Sequence, residues 1–264
     1  MNDRLRQAWD FDDLGASERR FRDLLGSERS DAGRAEVLTQ LARVEGLRSR
    51  FDEGEELIRE AERLAGGSAV AHVRIALERG RLLRSGGDAG AALPLFESAF
   101  ETAVAAGEDF LAGDAAHMAA LAAPEHEARV AWTERGTELA RTSPDAAYWL
   151  GPLFNNLGWD YYESGDYAAA LSAFERALAA RERDPERPYE IEIARYAVAK
   201  ALRALGRPDE AATLLEQAVA WARTAGQPDG WFHEELAAAY RDLGRWPEAE
   251  EHTELARALL VSAG

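Results

Sequence analysis

The sequence contains no cysteine, and among its 31 basic residues only Lys200 is a lysine. Without cysteine the chain has no disulfide, no thiolate nucleophile and no cysteine-based zinc site. Redox chemistry therefore has no evident carrier. The strong preference for arginine over lysine is typical of a GC-rich bacterial genome, and we interpret it as a compositional bias rather than as a functional signal.

Long hydrophobic runs are missing as well. No apolar stretch has the length that a bilayer span requires, and residues 1–13 are charged where a secretory signal would have an apolar core. We therefore expect a cytoplasmic protein with no membrane association. The formal net charge of −17 also disfavours binding to phosphate backbones, so we expect no nucleic-acid partner.

Motifs that carry chemistry are scarce. The sequence has no HExxH pair, no Walker loop, no Gly-x-Ser-x-Gly elbow and no dinucleotide fingerprint. The glycine-rich run 85–90 lies between two predicted helices and is interpreted as a turn. Asp114 and His117 stand one helical turn apart, and we interpret them as a solvated pair rather than as an acid–base pair. We expect no enzymatic activity, no cofactor and no metal.

The sequence does contain a repeated pattern of helix pairs. Each unit has an amphipathic first helix, a short turn and a second helix. The turns place glycine where one helix ends and Asp or Pro where the next begins, as in the run 206–209. Gly80 and Gly158 on first helices let the backbones approach, and we expect Phe96 and Phe174 on the second helices to fill the space opposite.

One stretch, 151–184, carries the pattern in full, with Leu157, Gly158, Tyr161, Ala170, Phe174 and Ala177 at regular spacings. These spacings resemble the tetratricopeptide repeat, whose pattern is W-x2-L-G-x2-Y…A-x3-F. The resemblance implies an all-α fold, an α-α superhelix (solenoid) of about seven helical hairpins. We expect residues 1–34 to form an N-terminal capping hairpin. Residues 35–264 would form one continuous array with units near 35–68, 73–106, 109–142, 151–184, 192–225 and 230–263.

The resemblance also implies a binding face. In this family the first helices line a concave groove, and fixed positions of each first helix face into it. Nine residues at those positions are charged and seven of them are basic, although the chain has 31 basic and 48 acidic residues. We therefore predict an electropositive groove with aromatic surface for an acidic peptide or a C-terminal carboxylate. Asn156 is added because it matches one slot of the two-carboxylate clamp of chaperone-binding repeats. The predicted groove residues are Arg43, Arg74, Leu77, Arg81, Arg84, His117, Asn155, Asn156, Trp159, Tyr162, Tyr196, Lys200, Arg203, Trp231 and Arg241.

A structural interpretation of these arginines stays open beside the functional one. Several of them stand in the last turns of their helices, where the macrodipole favours a cation whatever the ligand. This would account for the basic residues near the helix ends but not for Arg74, which stands near the start of its helix.

The leading function is a scaffold that binds a protein or peptide segment. The alternatives are a peptide-responsive regulatory sensor acting through a partner protein, and a structural subunit that assembles with itself. For the last, the groove would be filled by a neighbouring copy or by the chain's own terminus. Separately, three apolar residues near the C-terminal end would form a homodimer or fold onto their own hairpin: Leu255, Leu259 and Leu260.

Overall fold

The computed structural model describes residues 3–262, and the regular structure in this range consists of helices only. None of these helices combines the length and the apolar character that crossing a bilayer would require. Two short 3-10 helices cover Arg6–Ala8 and Pro144–Trp149. The α-helices are α1 Leu14–Ser27, α2 Asp31–Leu47, α3 Phe51–Ala65, α4 Ala69–Ser85, α5 Ala89–Ala106, α6 Asp109–Ala122, α7 His126–Thr142, α8 Leu150–Ser164, α9 Tyr167–Arg181, α10 Pro188–Ala204, α11 Pro208–Ala225, α12 Gly230–Asp242 and α13 Trp246–Ser262.

The chain divides into two compact units between Trp149 and Leu150, where the sequence predicts one continuous array. In unit 1, α1 packs on α2, and the helix pairs are α2/α3, α4/α5 and α6/α7. In unit 2 the pairs are α8/α9, α10/α11 and α12/α13. The predicted repeat units begin at the first residue of each first helix or up to four residues inside it. The helix pairing is therefore the one that the repeat pattern predicts.

The first 34 residues differ from the predicted capping hairpin. They contain one α-helix, α1, and the next helix already begins at Asp31, capped by the side chain of Ser30. Before α1 runs an irregular segment whose Leu5 is buried against Phe21 and Val37. The cap is thus a single helix with an irregular segment beside it. Residues 1–2 and 263–264, which belong to the predicted ranges, lie outside the described residues.

Small residues and aromatic rings pack together inside the helix pairs as predicted. A Cβ atom on Gly80 would lie 2.5 Å from Cε1 of Phe96, and Gly158 stands in the same relation to Phe174. Both rings are fully buried. Because no side chain fits between backbone and ring, glycine at these positions sets how closely the two helices approach.

Candidate functional site

The predicted groove residues lie on two separate helix faces. The unit-1 face is formed by α2, α4 and α6, and it carries the predicted residues from Arg43 to His117. The unit-2 face is formed by α8, α10 and α12, and it carries those from Asn155 to Arg241. The two faces thus belong to different compact units.

On the unit-1 face, Arg81 lies between two carboxylates. Its Nη1 donates to Glu78 at 2.6 Å and its Nη2 donates to Asp114 at 2.5 Å, and both acids are buried. Nη1 of Arg43 also lies 3.8 Å from Oε1 of Glu78. Burial opposes the charge on Asp114, but Arg81 and Arg43 outweigh it and hold the pKa of this carboxyl below its ordinary value. Asp114 is therefore a buried ion-pair partner and not the solvated residue that the sequence suggests.

Arg74 is similarly enclosed. It is 6% exposed, its Nη2 donates to Asp3 at 2.5 Å, and its Nε donates to Glu36 at 3.2 Å. Leu77, one turn further along α4, is fully buried. Arg84 uses its Nε to donate to the carbonyl of Leu121 at 3.4 Å.

These contacts correct the prediction of a basic surface on the unit-1 face. Each of Arg43, Arg74 and Arg81 has a carboxylate within 4 Å, so the cations are neutralised inside the protein. Of the acids involved, only Glu36 stands at one of the fixed first-helix positions of the repeat phase, where it is one of the two acidic residues among the nine charged ones. The sequence offers one signal for another of them, because Glu78 and Arg81 have the i, i+3 spacing of an intrahelical ion pair.

Segment 3–11 lies on the unit-1 face. The indole Nε1 of Trp9 donates to Oε1 of Gln40 on α2 at 2.9 Å, and the guanidinium of Arg6 stands 3.9 Å from the ring centroid of Tyr148. A cavity of about 100 Å³ remains between the segment and the helices, lined also by Arg43 and Leu77. The chain's own residues thus cover part of the predicted groove.

His117 on α6 stands beside Trp149, with 5.3 Å between the ring centroids. Burial lowers the pKa of His117 to about 4, with the nearby Arg81 and Arg84 acting in the same direction and Asp114 against them. The imidazole is therefore neutral near pH 7. In that state it brings no positive charge to the unit-1 face.

The centre of the unit-2 face is a cluster of two cations on one buried carboxylate. Lys200 Nζ donates to Glu235 Oε2 at 2.9 Å, and Arg203 Nε donates to Glu235 Oε1 at 2.5 Å. Glu235 is 4% exposed, whereas both cations are half-buried. Nη1 of Arg203 donates to Oδ2 of Asp242 at 3.3 Å, and the side chain of Asp242 is 45% exposed. Glu235 and Asp242 together balance the two positive charges, but the ammonium and the guanidinium have more N–H donors than these hydrogen bonds use.

Aromatic side chains surround this cluster. The Lys200 ammonium stands 5.6 Å from the ring centroid of Tyr196, and Tyr162 also stabilises its charge. Burial opposes that charge, but the hydrogen bond to Glu235 and these neighbours hold the pKa of Lys200 above its ordinary value. For Tyr196, burial disfavours the charged phenolate and so raises the pKa of the phenol. The lysine is therefore a fixed cation set among aromatic rings.

The remaining predicted residues of the unit-2 face surround this centre. Trp159 packs edge-on against Tyr162 at 5.6 Å between centroids, and both are half-buried. Trp231 is 55% exposed. Asn155 and Asn156 are half-buried on α8, and Arg241 is exposed at the end of α12.

The leucines predicted for self-association divide into two groups. Leu255 and Leu259 line an apolar cavity of about 680 Å³ beside α11, and Leu255 is 41% exposed. Leu260 instead packs against Gly230 of its own hairpin. Self-association through the first two stays a prediction.

Among residues 3–262 no three His, Asp or Glu side chains are placed to hold a metal ion together.

A family model of the tetratricopeptide repeat matches residues 152–184, and a second model of the same repeat matches 193–217 and 230–254. These ranges fall on the three helix pairs of unit 2. The three helix pairs of unit 2 are tetratricopeptide repeats. No curated protein matches it by sequence.

Solved structures share the fold at low sequence identity. A STAND signal-transduction ATPase of Pyrococcus horikoshii with a tetratricopeptide repeat sensor matches 95% of this chain at 12% identity with a TM-score of 0.73, and the chain spans 40% of that protein. The apo form of RapI matches 92% at 11% identity, with 71% of RapI covered and a TM-score of 0.72. The apo quorum sensor NprR of B. thuringiensis matches 94% at 16% identity, with 83% of that chain covered and a TM-score of 0.59. At these identities the likeness concerns the fold.

Proposed function

We propose that this protein binds a peptide or protein segment on its unit-2 face. In this proposal Lys200 and Arg203 contact a carboxylate of the ligand, while Trp159, Tyr196 and Trp231 contact its apolar side chains. The observation that carries the proposal is the sharing of one buried carboxylate, Glu235, by two cations in the middle of aromatic surface.

Glu235 prepares the site for an anionic group. It fixes both cations before the ligand arrives, so little side-chain freedom is lost on binding. The other carboxylate at this cluster, Asp242, is 45% exposed and bonds Arg203 at 3.3 Å, so a carboxylate of the ligand can take its place beside the two cations. Hydrogen bonds between charged groups contribute about 1.5–3 kcal/mol each when they are shielded from water. A ligand with an Asp, a Glu or a free C-terminus fits this requirement.

The exposed aromatic surface supplies the second part of the affinity. Trp231 is more than half exposed, and Trp159, Tyr162 and Tyr196 are half-buried with fixed ring packing. Such rings offer large contact area at low entropic cost. An acidic segment with apolar or aromatic side chains is thus the preferred ligand. The related fold of NprR, solved in complex with its cognate peptide NprX, supports a peptide ligand for this architecture.

The test is a peptide selection with matched variants of the full chain. A displayed library of random peptides is enriched on the wild type, and the enriched peptides are measured on Lys200→Gln/Arg203→Gln. We expect Asp, Glu or a free carboxyl end in the enriched peptides, affinity that falls with salt, and at least about a tenfold loss on the variant.

The control variant is Arg59→Gln/Arg141→Gln. It removes two arginines that are 64% and 70% exposed and lie outside both faces. Its affinity for the same peptides should equal that of the wild type. Equal binding to wild type and to Lys200→Gln/Arg203→Gln, or no enrichment of acidic peptides, would reject the proposal.

A second candidate is a sensor that passes ligand binding to a partner protein. The division of the chain into two compact units favours it, because a ligand could change their arrangement. Small-angle scattering of the full chain with and without an enriched peptide separates the candidates. A change in the radius of gyration supports the sensor, and an unchanged curve supports a rigid scaffold.

A further inference from the structure

Segment 3–11 has a period of three residues. Asp3, Arg6 and Trp9 all contact the unit-1 face, and the stretch includes the 3-10 helix Arg6–Ala8. A 3-10 helix has three residues per turn, so side chains three positions apart point the same way. Leu5 and Ala8 point away from this face and are buried in the core with Phe21. The segment therefore presents one polar side to unit 1 and anchors itself with the other.

Each of the three side chains meets its own partner on the helices. The Asp3 carboxylate accepts from Arg74 on α4, and the Trp9 indole donates to Gln40 on α2. The Arg6 guanidinium stands 5.3 Å from the ring centroid of Phe110 on α6, within the range of a cation–π contact. One side chain thus reaches each of the three first helices of the unit.

The partners bond the segment and the helices at once, because Arg74 also donates to Glu36 and Gln40 also donates to Thr39. With segment 3–11 in place Arg74 is 6% exposed and Gln40 is 4% exposed, and polar groups enclosed in this way are stabilised by the hydrogen bonds that the segment supplies. Asp3 supplies two of the hydrogen bonds of Arg74, through Nη1 and Nη2. Trp9 supplies the donor that faces Oε1 of Gln40. The unit-1 face is accordingly built to hold a segment with a carboxylate, a cation and an indole.

We propose that the unit-1 face is a second segment-binding site, distinct from the one on the unit-2 face, and that segment 3–11 is its built-in ligand. A partner segment binds there by replacing segment 3–11. Because Leu5 is buried beside the polar contacts, the replacing segment carries an aliphatic residue directly before the cation. Its pattern is Asp-x-Leu-Arg-x-x-Trp, or a close chemical equivalent such as Glu for Asp.

Segment 3–11 is joined to α1 by a short stretch of chain, so it occupies the unit-1 face almost completely even if its contacts are individually weak. A segment joined by a short linker acts at an effective concentration of about millimolar or more. A free peptide with the same contacts therefore binds the intact chain poorly. It binds well only when the built-in segment is weakened.

The experiment uses a fluorescein-labelled peptide, DRLRQAWDFDD, which corresponds to residues 3–13. Fluorescence polarisation measures its binding to the wild-type chain and to the full-length variant Leu5→Ala/Arg6→Ala/Trp9→Ala. We expect binding at least about 100-fold tighter to the variant. The same peptide with Asp3→Ala and Trp9→Ala should lose at least about tenfold in affinity for the variant. Adding Lys200→Gln/Arg203→Gln to the variant should change nothing, which separates this site from the unit-2 face.

Equal binding of the peptide to wild type and variant overturns the proposal. So does the absence of binding to a variant that keeps its helical circular dichroism and cooperative unfolding, or equal binding of the Asp3→Ala/Trp9→Ala peptide. If the triple variant does not fold, Arg6→Ala/Trp9→Ala with Leu5 intact replaces it, with the peptide raised to about 1 mM. Failure of this milder variant to fold shows that the segment is a fixed part of the core, and also overturns the proposal.

Discussion

Protonation of His117 should destabilise unit 1 as the pH falls. Burial lowers the pKa of His117 to about 4 in the folded chain, from an ordinary value of 6.5. The unfolded chain therefore binds a proton at this residue between pH 6.5 and pH 4, and the folded chain does not. By linkage, the stability contributed by neutral His117 is complete above pH 6.5 and is lost as the pH falls towards 4.

The magnitude follows from the width of this interval. Each pH unit between the two pKa values changes the free energy of unfolding by about 1.4 kcal/mol, so the loss is about 3.5 kcal/mol at most. The variant His117→Gln has no proton to bind at this position. Its free energy of unfolding should therefore depend less on pH than that of the wild type, by this amount between pH 6.5 and pH 4.

The assay is urea unfolding at several pH values, followed by circular dichroism for wild type and His117→Gln. A local signal is available because Trp149 lies against the imidazole. Selective labelling of histidine for NMR gives the pKa of His117 directly. A parallel pH dependence of the two proteins, or a measured pKa near 6.5, would refute the reasoning.

Three further changes test the packing. Gly158→Ala forces a methyl group into the ring that covers this backbone and should destabilise unit 2 by about 1–3 kcal/mol in urea unfolding. Gly26→Ala, in a helix with no neighbour within 4 Å, should instead be neutral or stabilise by up to about 1 kcal/mol, and a loss equal to that of Gly158→Ala would contradict the packing argument. Glu235→Gln removes the negative charge shared by Lys200 and Arg203. It should lower the free energy of unfolding by about 2 kcal/mol, and the urea midpoint with it. An unchanged midpoint would show that hydration of the two cations compensates for the lost ion pairs.

Much of the fold could be predicted because its information is local. Short sequence signals mark the helix ends, such as the glycines with positive φ at Gly165, Gly206 and Gly244. The pairing of helices follows from one small residue facing one ring, as at Gly158 and Phe174. The cap was harder to predict. The residues before α1 form only the 3-10 helix Arg6–Ala8, and their place is set by the packing of Leu5 in a cluster with Phe21 and Val37, which lie further along the chain.

The candidate site was predicted less well, because charge on a face depends on neighbours from other helices. The repeat phase selects Tyr196, Lys200 and Arg203, all of which lie on α10. It does not show that Glu235 lies beneath the two cations, 32 and 35 residues further along the chain. On the unit-1 face the same counting selects Arg74 and Arg81 but leaves out Asp3 and Asp114.

The helix pairs and their turns follow from spacings within about one repeat, and these are visible in the amino-acid sequence. Which carboxylate pairs with each of the cations on the two faces depends on the tertiary structure. An ion pair forms between atoms within 4 Å, and Asp3 reaches Arg74 across 71 residues of chain. The physical reason is that periodicity orients side chains, whereas the electrostatics of a surface is set by whatever distant residues the fold brings beside them.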